Sequence, residues 1–141
     1  MISNIGINFM VIVGLAVMGA MALSAFWYSP KIFGDKWMRL TGVSMSSCKD
    51  AKGMMLYTCF AYFAIALTLF TIIIWAGAST AKEGIVVGLW VGLGLSAMTL
   101  LIPCLWEGKP SKLFLINGGI TVLNTVFMSA IMAHLIGKFY L

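Results

Sequence analysis

Four long stretches without a charged side chain constrain the fold of this chain more than any other feature. Lys, Arg, Asp and Glu are absent from residues 1–30, 53–81, 84–106 and 113–137, which are runs of 30, 29, 23 and 25 residues. About 20 apolar residues, rising 1.5 Å each in an α-helix, cross a hydrocarbon core about 30 Å thick. Because a backbone in lipid must satisfy its own hydrogen bonds and the runs do not alternate in polarity, each run predicts a transmembrane helix.

The composition agrees with this interpretation. Of the 141 residues, 62% are hydrophobic and 9% are charged, whereas a soluble domain has about 25% charged residues. We therefore expect an all-α polytopic membrane protein whose partner is the lipid bilayer, and we exclude a soluble enzyme. The net charge of +5 comes from the loops between the runs, so it does not indicate nucleic-acid binding.

Local signals predict where the helices begin and end. We expect one domain (1–141) with helices at about 4–29, 48–77, 81–106 and 111–137. Thr80 and Glu83 have the spacing of a capping box at the start of the third helix, and Ser44 or Ser47 can cap the second. The connection 106–111 is short enough to require an antiparallel hairpin, which gives an up-down-up-down bundle.

The basic residues predict the orientation. Seven of them lie in the first and third connections: Lys31, Lys36, Arg39, Lys49, Lys52, Lys109 and Lys112. The opposite side has only Lys82 and Lys138. Because Lys and Arg accumulate in cytoplasmic loops, we expect both termini outside. The first run has no basic residue in its first eight positions and is longer than a signal-peptide core, so we expect it to be retained as a helix.

The first connection predicts a short interfacial helix over about residues 31–41. One helical face is apolar and another carries alternating charges: Phe33, Trp37 and Leu40, and Lys31, Asp35 and Arg39. The charged row predicts salt bridges between residues four apart. Pro30 and Gly42 have the positions of a helix start and a helix end. We favour an anchor that orients the first helix together with Trp27 and Tyr28; a lipid-sensing or gating element is the alternative.

The same region carries a resemblance to a known family. The string Phe26-Trp27-Tyr28-Ser29-Pro30, followed by Phe33-Gly34 and Trp37-Met38, resembles the signature of the bacterial membrane-protein family called domain of unknown function 1761. A second similarity is the turn Glu107-Gly108-Lys109-Pro110 followed by residues 113–119, where the family tends to show an aliphatic run, an Asn or Asp and small residues. The resemblance covers essentially the whole chain. It implies a small integral protein of the bacterial inner membrane and no activity; the His common in relatives is absent at Ile120-Thr121.

The third helix carries a face of small residues. Gly84, Gly88, Gly92 and Ser96 recur at every fourth position, a pattern that allows close helix approach. We expect this face to pack on another helix of the chain or on a second protomer. Pro103 leaves the carbonyl of Thr99 without its helical donor, which predicts a kink near the end of this helix.

The fourth helix carries a polar stripe of Asn117, Thr121 and Asn124 at positions i, i+4 and i+7. We favour interhelical hydrogen bonds for these side chains; the alternative is the lining of a cleft, which Glu107 would reach only if the turn folds back. A salt bridge of Glu107 with Lys109, Lys112 or the interfacial helix is the simpler interpretation.

We identify no catalytic, cofactor-binding or metal-binding residues. His134 has no carboxylate or Cys within a turn, and Cys48, Cys59 and Cys104 form no C-x-x-C pair, which disfavours metal and thiol redox chemistry. Small multidrug exporters depend on a carboxylate in their first helix, and residues 1–30 contain none.

The sequence thus favours a homo-oligomeric structural or interaction component of the membrane, and not an enzyme. The alternative is a transporter or channel for a small solute or lipid that uses the polar stripe of the fourth helix. The small-molecule ligand, if there is one, is not specified by the sequence. A polar cavity at the stripe would favour transport, and a tightly packed seam would favour the structural role.

Overall fold

The computed structural model describes residues 2–43 and 51–140, and every regular element within them is helical. The elements are α1 (Ile2–Trp27), a π-helical turn (Pro30–Gly34), α2 (Asp35–Thr41), α3 (Ala51–Ala76), α4 (Ala81–Leu89), a π-helical segment (Trp90–Ala97), α5 (Met98–Trp106) and α6 (Ser111–Tyr140). Four segments are long and apolar enough to cross a membrane, with α4, the π-helical segment and α5 together forming the third span. The predicted all-α fold with four spans is confirmed.

The ends of the spans follow local chemistry. The Glu83 N–H donates to Thr80 Oγ1 (3.3 Å) and the Thr80 N–H donates to Glu83 Oε2 (3.0 Å), so the predicted capping box forms. The last helix continues to Tyr140, three residues beyond its predicted end, because Lys138 ends the apolar run without breaking the helix. The predicted caps Ser44 and Ser47 lie outside the described residues.

A short helix follows α1, as predicted from the first connection. It begins with the π-helical turn Pro30–Gly34 and continues as α2 to Thr41. Gly42 ends it with a φ of 71°, and its N–H donates to the Met38 carbonyl. This left-handed conformation favours glycine, since an L side chain would be strained there.

The predicted row of salt bridges on this helix is wrong. Lys31, Asp35 and Arg39 form no ion pair among the residues that the structure describes. The spacing argument assumed α-helical geometry throughout, but Lys31 lies in the π-helical turn. That turn is wider than an α-turn, so Lys31 and Asp35 no longer lie above one another. Asp35 and Arg39 both lie in α2 and are exposed; a pair between exposed side chains gains little over hydration.

The last helix, α6, is the centre of the fold. It contacts α1, α2, α3, α4 and α5, and it is the most buried of the four spans. The principal core lies between α1, α3 and α6 and contains Ile12, Val13, Ala16, Val17, Ala20, Ala66, Leu69, Ile73, Met128, Met132, Ala133 and Ile136. The hydrophobic residues that face lipid are exposed in the structure, as expected for a membrane protein.

The small residues of the third span pack on α6 of the same chain. A Cβ atom at Gly84 would come within 2.8 Å of the Ala130 Cα, and one at Gly88 within 2.5 Å of the Val126 Cα. A Cβ at Gly92 would collide with a side chain of α6. The absence of side chains therefore brings the two helices close together.

The third span departs from α-helical geometry at Trp90–Ala97. Pro103 lies within α5, farther along the span. Helices of the π type are rare and frequently mark functional sites, because the widened turn redirects the side chains around it. This segment forms one wall of the cleft described below.

Candidate functional site

Three hydrogen bonds connect α6 to aromatic residues at the end of α1 and in the segment that follows it. Trp27 Nε1 donates to the Ile116 carbonyl (3.1 Å). Tyr28 OH and Trp37 Nε1 both donate to Asn117 Oδ1, at 3.0 Å and 3.1 Å. One carbonyl oxygen thus accepts two bonds from two separate segments, which fixes α2 against the start of α6.

Ring packing supports this arrangement, which we call the aromatic corner: Trp27, Tyr28, Phe33 and Trp37 against Asn117. The Trp27 and Phe33 rings lie 4.5 Å apart, and the Tyr28 and Trp37 rings meet edge to face at 5.7 Å. Gly34 is buried, and a Cβ atom there would come within 2.9 Å of the Ser29 carbonyl. Five members of the predicted interfacial motif thus pack in a single corner: Trp27, Tyr28, Phe33, Gly34 and Trp37. Pro30 is exposed and begins the π-helical turn.

Burial also affects the donor at this corner. It raises the pKa of Tyr28 to about 12, with a smaller contribution from Tyr62. A phenol is protonated at neutral pH in any case; the raised pKa extends the range in which Tyr28 donates to Asn117 to more alkaline pH.

Deeper in the bundle, three polar side chains from three spans meet. The Asn124 amide Nδ2 donates to Ser24 Oγ (2.8 Å) and to Tyr62 OH (2.7 Å), and the two hydroxyl oxygens lie 2.6 Å apart. Three contacts need three protons, of which the amide supplies two and one hydroxyl supplies the third. With the amide reversed, two hydroxyl protons would have to serve three contacts, so the short contacts determine the amide orientation. We call Ser24, Tyr62 and Asn124 the polar triad.

The polar triad has hydrogen-bonding capacity left over. Asn124 is 3% exposed, and its Oδ1 has no hydrogen-bond partner among the described residues. Ser24 and Tyr62 together carry two hydroxyl protons, and the contact between their oxygens uses only one of them. The other proton has no acceptor within the triad. An unsatisfied buried polar atom costs about 1–3 kcal/mol, and such atoms in native proteins often mark a site that a water, ion or ligand completes.

A cleft of about 550 Å³ opens beside the polar triad, between α3, the third span and α6. Tyr62 and Asn124 line it. The other lining residues are Thr58, Ala61, Ala64, Ile65, Thr68, Leu69, Val91, Leu95, Ser96, Thr121, Thr125 and Met128. Each lining threonine donates its hydroxyl proton to a carbonyl of its own helix. Ser96 also lines the cleft, and its half-buried hydroxyl has no hydrogen-bond partner among the described residues. The fully buried unused hydrogen-bonding capacity in the cleft lies in the triad.

The cleft opens sideways, at the depth of the bilayer interior. Its lining positions lie in the middle of the second, third and fourth spans. The second span contacts α4 but hardly contacts the π-helical segment, and Ala61, Ala64 and Thr68 are exposed. No Asp, Glu, Lys, Arg or His is among the lining residues. The mouth of the cleft therefore faces lipid, and its walls are uncharged.

The structure divides the predicted polar stripe. Asn124 and Thr121 line the cleft, whereas Asn117 bonds the aromatic corner and is not among the lining residues. Glu107 is not among the lining residues, and the simpler interpretation of this residue as a salt-bridge partner is the correct one. Glu107 forms an ion pair with Lys109 in the exposed turn, and this pairing raises the pKa of Lys109.

Within the described ranges, no group of three His, Cys, Asp or Glu side chains could hold a metal ion. The Cys104 thiol donates to the Lys109 carbonyl (3.7 Å), and Cys59 lines a separate groove beside α1. His134 is exposed, and Cys48 lies outside the described residues.

Comparison with known proteins assigns the family. The family described as "Protein of unknown function (DUF1761)" matches residues 11–133. The chain belongs to this family. The comparisons with curated proteins and with solved structures give no match. Membership therefore confirms the resemblance seen in the sequence and brings no activity with it.

The two sequence strings on which the family resemblance was based contact each other in the structure. The string at residues 26–38 supplies Tyr28 and Trp37, and the string at residues 107–119 supplies Asn117. The segments are separated by two spans in sequence, yet they meet at the aromatic corner. The corner therefore joins the two segments on which the resemblance was based.

Sequence reasoning missed Ser24 and Tyr62. Ser24 repeats with no other hydroxyl or amide residue at helical spacing in its span, and Tyr62 repeats only with Thr58, which is too short a pattern to mark a face. The available signal was the pairing requirement of Asn124, since a buried amide needs partners on neighbouring helices.

Proposed function

We propose that this protein binds a lipid-soluble small molecule in the lateral cleft between its second, third and fourth spans. The observation that carries the proposal is a sideways opening, at bilayer depth, onto an apolar wall with one polar patch. Ligand sites in proteins are typically clefts of about 300–1,000 Å³ with apolar walls and a few polar groups that orient the ligand. The volume of about 550 Å³ falls within this range.

The location of the cleft indicates how a ligand would reach it. Its mouth lies between α3 and the π-helical segment, where the spans are apart, so a molecule dissolved in the bilayer enters without crossing water. An ion or polar solute would find no charged side chain to replace its hydration. The proposal is therefore a binding protein or carrier for apolar molecules, which is closer to the lipid-transport alternative than to an aqueous channel.

Photocrosslinking in nanodiscs tests the proposal. The probe is hexadecanol with a diazirine in its chain, and the labelled peptides are identified by mass spectrometry. We expect label on residues 58–69 and 121–128. Ala64→Trp places a large side chain at the cleft and should reduce this label at least fivefold.

Ala76→Trp is the matched control, since Ala76 is exposed on the same helix and does not line the cleft. It should leave the label unchanged. Label spread evenly over all lipid-facing positions, or an equal response of the two variants, would refute the proposal.

A homo-oligomeric structural component is the role favoured by the sequence, and we rank it second. The face of Gly84, Gly88 and Gly92 was one surface on which a second protomer could have packed, and α6 of the same chain occupies that face. An oligomer would have to use another surface. Light scattering in detergent, with the mass of the bound detergent subtracted, measures the number of chains.

We infer that the protein resides in the bacterial inner membrane with both termini outside. The support is the family resemblance and the accumulation of basic residues in the first and third connections. This orientation places α2 and the aromatic corner at the cytoplasmic interface.

A further inference from the structure

We infer that the ligand of the cleft is an uncharged lipid with a free hydroxyl group, and that this hydroxyl bonds the polar triad. The inference rests on the proposed function, because it names the chemical class of the molecule in the same cleft. It is carried by a count of protons and lone pairs at Ser24, Tyr62 and Asn124.

The count leaves one donor and one acceptor. Both amide protons of Asn124 are used by the two hydroxyl oxygens, and one hydroxyl proton fills the contact between them. The remaining acceptor is Asn124 Oδ1, and the remaining donor is the second hydroxyl proton. A hydroxyl group on a ligand donates one hydrogen bond and accepts another, so it satisfies both groups at once.

Other headgroups fit less well. A carboxylate or phosphate would offer acceptors alone and would leave Asn124 Oδ1 unsatisfied. It would also bring a charge into a cleft with no Lys, Arg or His among its lining residues, which is costly in a low-dielectric site. An ammonium group would donate to Oδ1 but would have no carboxylate beside it. A hydrocarbon or an ether lacks the donor.

The surroundings of the triad agree with a long apolar body attached to this hydroxyl. Leu69, Val91, Leu95 and Met128 form the walls next to Tyr62 and Asn124. The threonines on these walls have already given their protons to their own helices. The triad is therefore the buried orienting point for the polar end of the ligand, Ser96 being a half-buried hydroxyl on the opposite wall. The rest of the molecule makes apolar contacts out to the bilayer.

The experiment compares two probes that differ in one group. Hexadecanol with a diazirine in its chain and the methyl ether of the same molecule are incorporated into nanodiscs with the protein at equal concentration. The ether keeps the acceptor and loses the donor. We expect the alcohol to label the cleft peptides about tenfold more than the ether, the factor of roughly one net hydrogen bond.

Variants assign the preference to the triad. Asn124→Leu should reduce labelling by the alcohol to the level of the ether. Because this change also removes bonds to Ser24 and Tyr62, Tyr62→Phe is the second variant, which keeps the ring and removes one hydroxyl. It should lower the preference for the alcohol at least threefold, while Tyr57→Phe, at an exposed position of the same helix, should not.

The outcomes separate the inference from the proposed function. Equal cleft labelling by alcohol and ether, still blocked by Ala64→Trp, would keep the binding function and overturn the hydroxyl inference, with a water molecule satisfying the triad instead. Absence of specific labelling by both probes would overturn both. A preference for the alcohol that persists in both triad variants would place the hydroxyl elsewhere and overturn the inference.

Discussion

The close contact between the third span and α6 makes a quantitative prediction for Gly88→Ala. A Cβ atom at Gly88 would lie 2.5 Å from the Val126 Cα, 2.8 Å from the Thr125 carbonyl oxygen and 3.0 Å from the Val126 nitrogen. These are backbone atoms, so the clash is relieved only if α6 moves away. Overpacking of this kind costs about 1–3 kcal/mol, whereas alanine gains up to about 1 kcal/mol over glycine in helix propensity.

Gly94→Ala is the matched control, because it makes the same chemical change in the same span. A Cβ atom there has nothing within 4 Å, so no overpacking cost applies. The free energy of unfolding, measured by SDS titration in detergent micelles, should fall by about 1–2 kcal/mol for Gly88→Ala and should not fall for Gly94→Ala. Gly88→Leu should abolish the folded form. Equal stabilities of the two alanine variants would refute the close packing inferred here.

Three further predictions concern the corner, the pH response and the orientation. Asn117→Leu leaves the donors of Tyr28 and Trp37 without their acceptor and should lower stability by about 1–3 kcal/mol, whereas Asn117→Asp should retain it; equal loss in both would contradict the hydrogen-bonding role. Because burial raises the pKa of Tyr28 to about 12, the stabilising effect of its protonated phenol is complete below pH 10 and is lost between about pH 10 and 12. The free energy of unfolding should therefore fall less over this pH range for Tyr28→Phe than for the parent. The orientation is tested in intact cells with a variant that carries Cys59→Ala and Cys104→Ala. A membrane-permeant thiol reagent should label Cys48 and an impermeant one should not, whereas Ser79→Cys should react with the impermeant reagent. The reverse pattern would mean that the termini are inside.

The spans were predictable because membrane solvation acts on each residue locally. A run without charges, such as 113–137, is long enough to cross the bilayer whatever it packs against. The capping box of Thr80 and Glu83 was equally local. The arrangement of the helices was not predictable in this way, because in a uniformly apolar span no polar face marks the side that packs.

The candidate site was predicted only in part, and the reason is geometric. Asn124 and Thr121 were found because they repeat at helical spacing on one helix. Ser24 and Tyr62 lie on other helices, and their meeting depends on how three helices are placed. The salt-bridge prediction at Lys31 failed because a π-helical turn changes the angular position of every residue after it.

The glycine contacts also decide which wall of the cleft can move. Backbone lies against backbone between α4 and α6, so these two helices form a stiff pair that cannot slide or separate without losing that contact. On the other side of the mouth, α3 lines the cleft and contacts its neighbours through side chains, which rearrange more easily than backbone. Widening of the cleft to admit a bulky molecule would therefore displace α3 away from a stationary pair, and the speed of exchange with the bilayer would depend on how tightly α3 packs against α1.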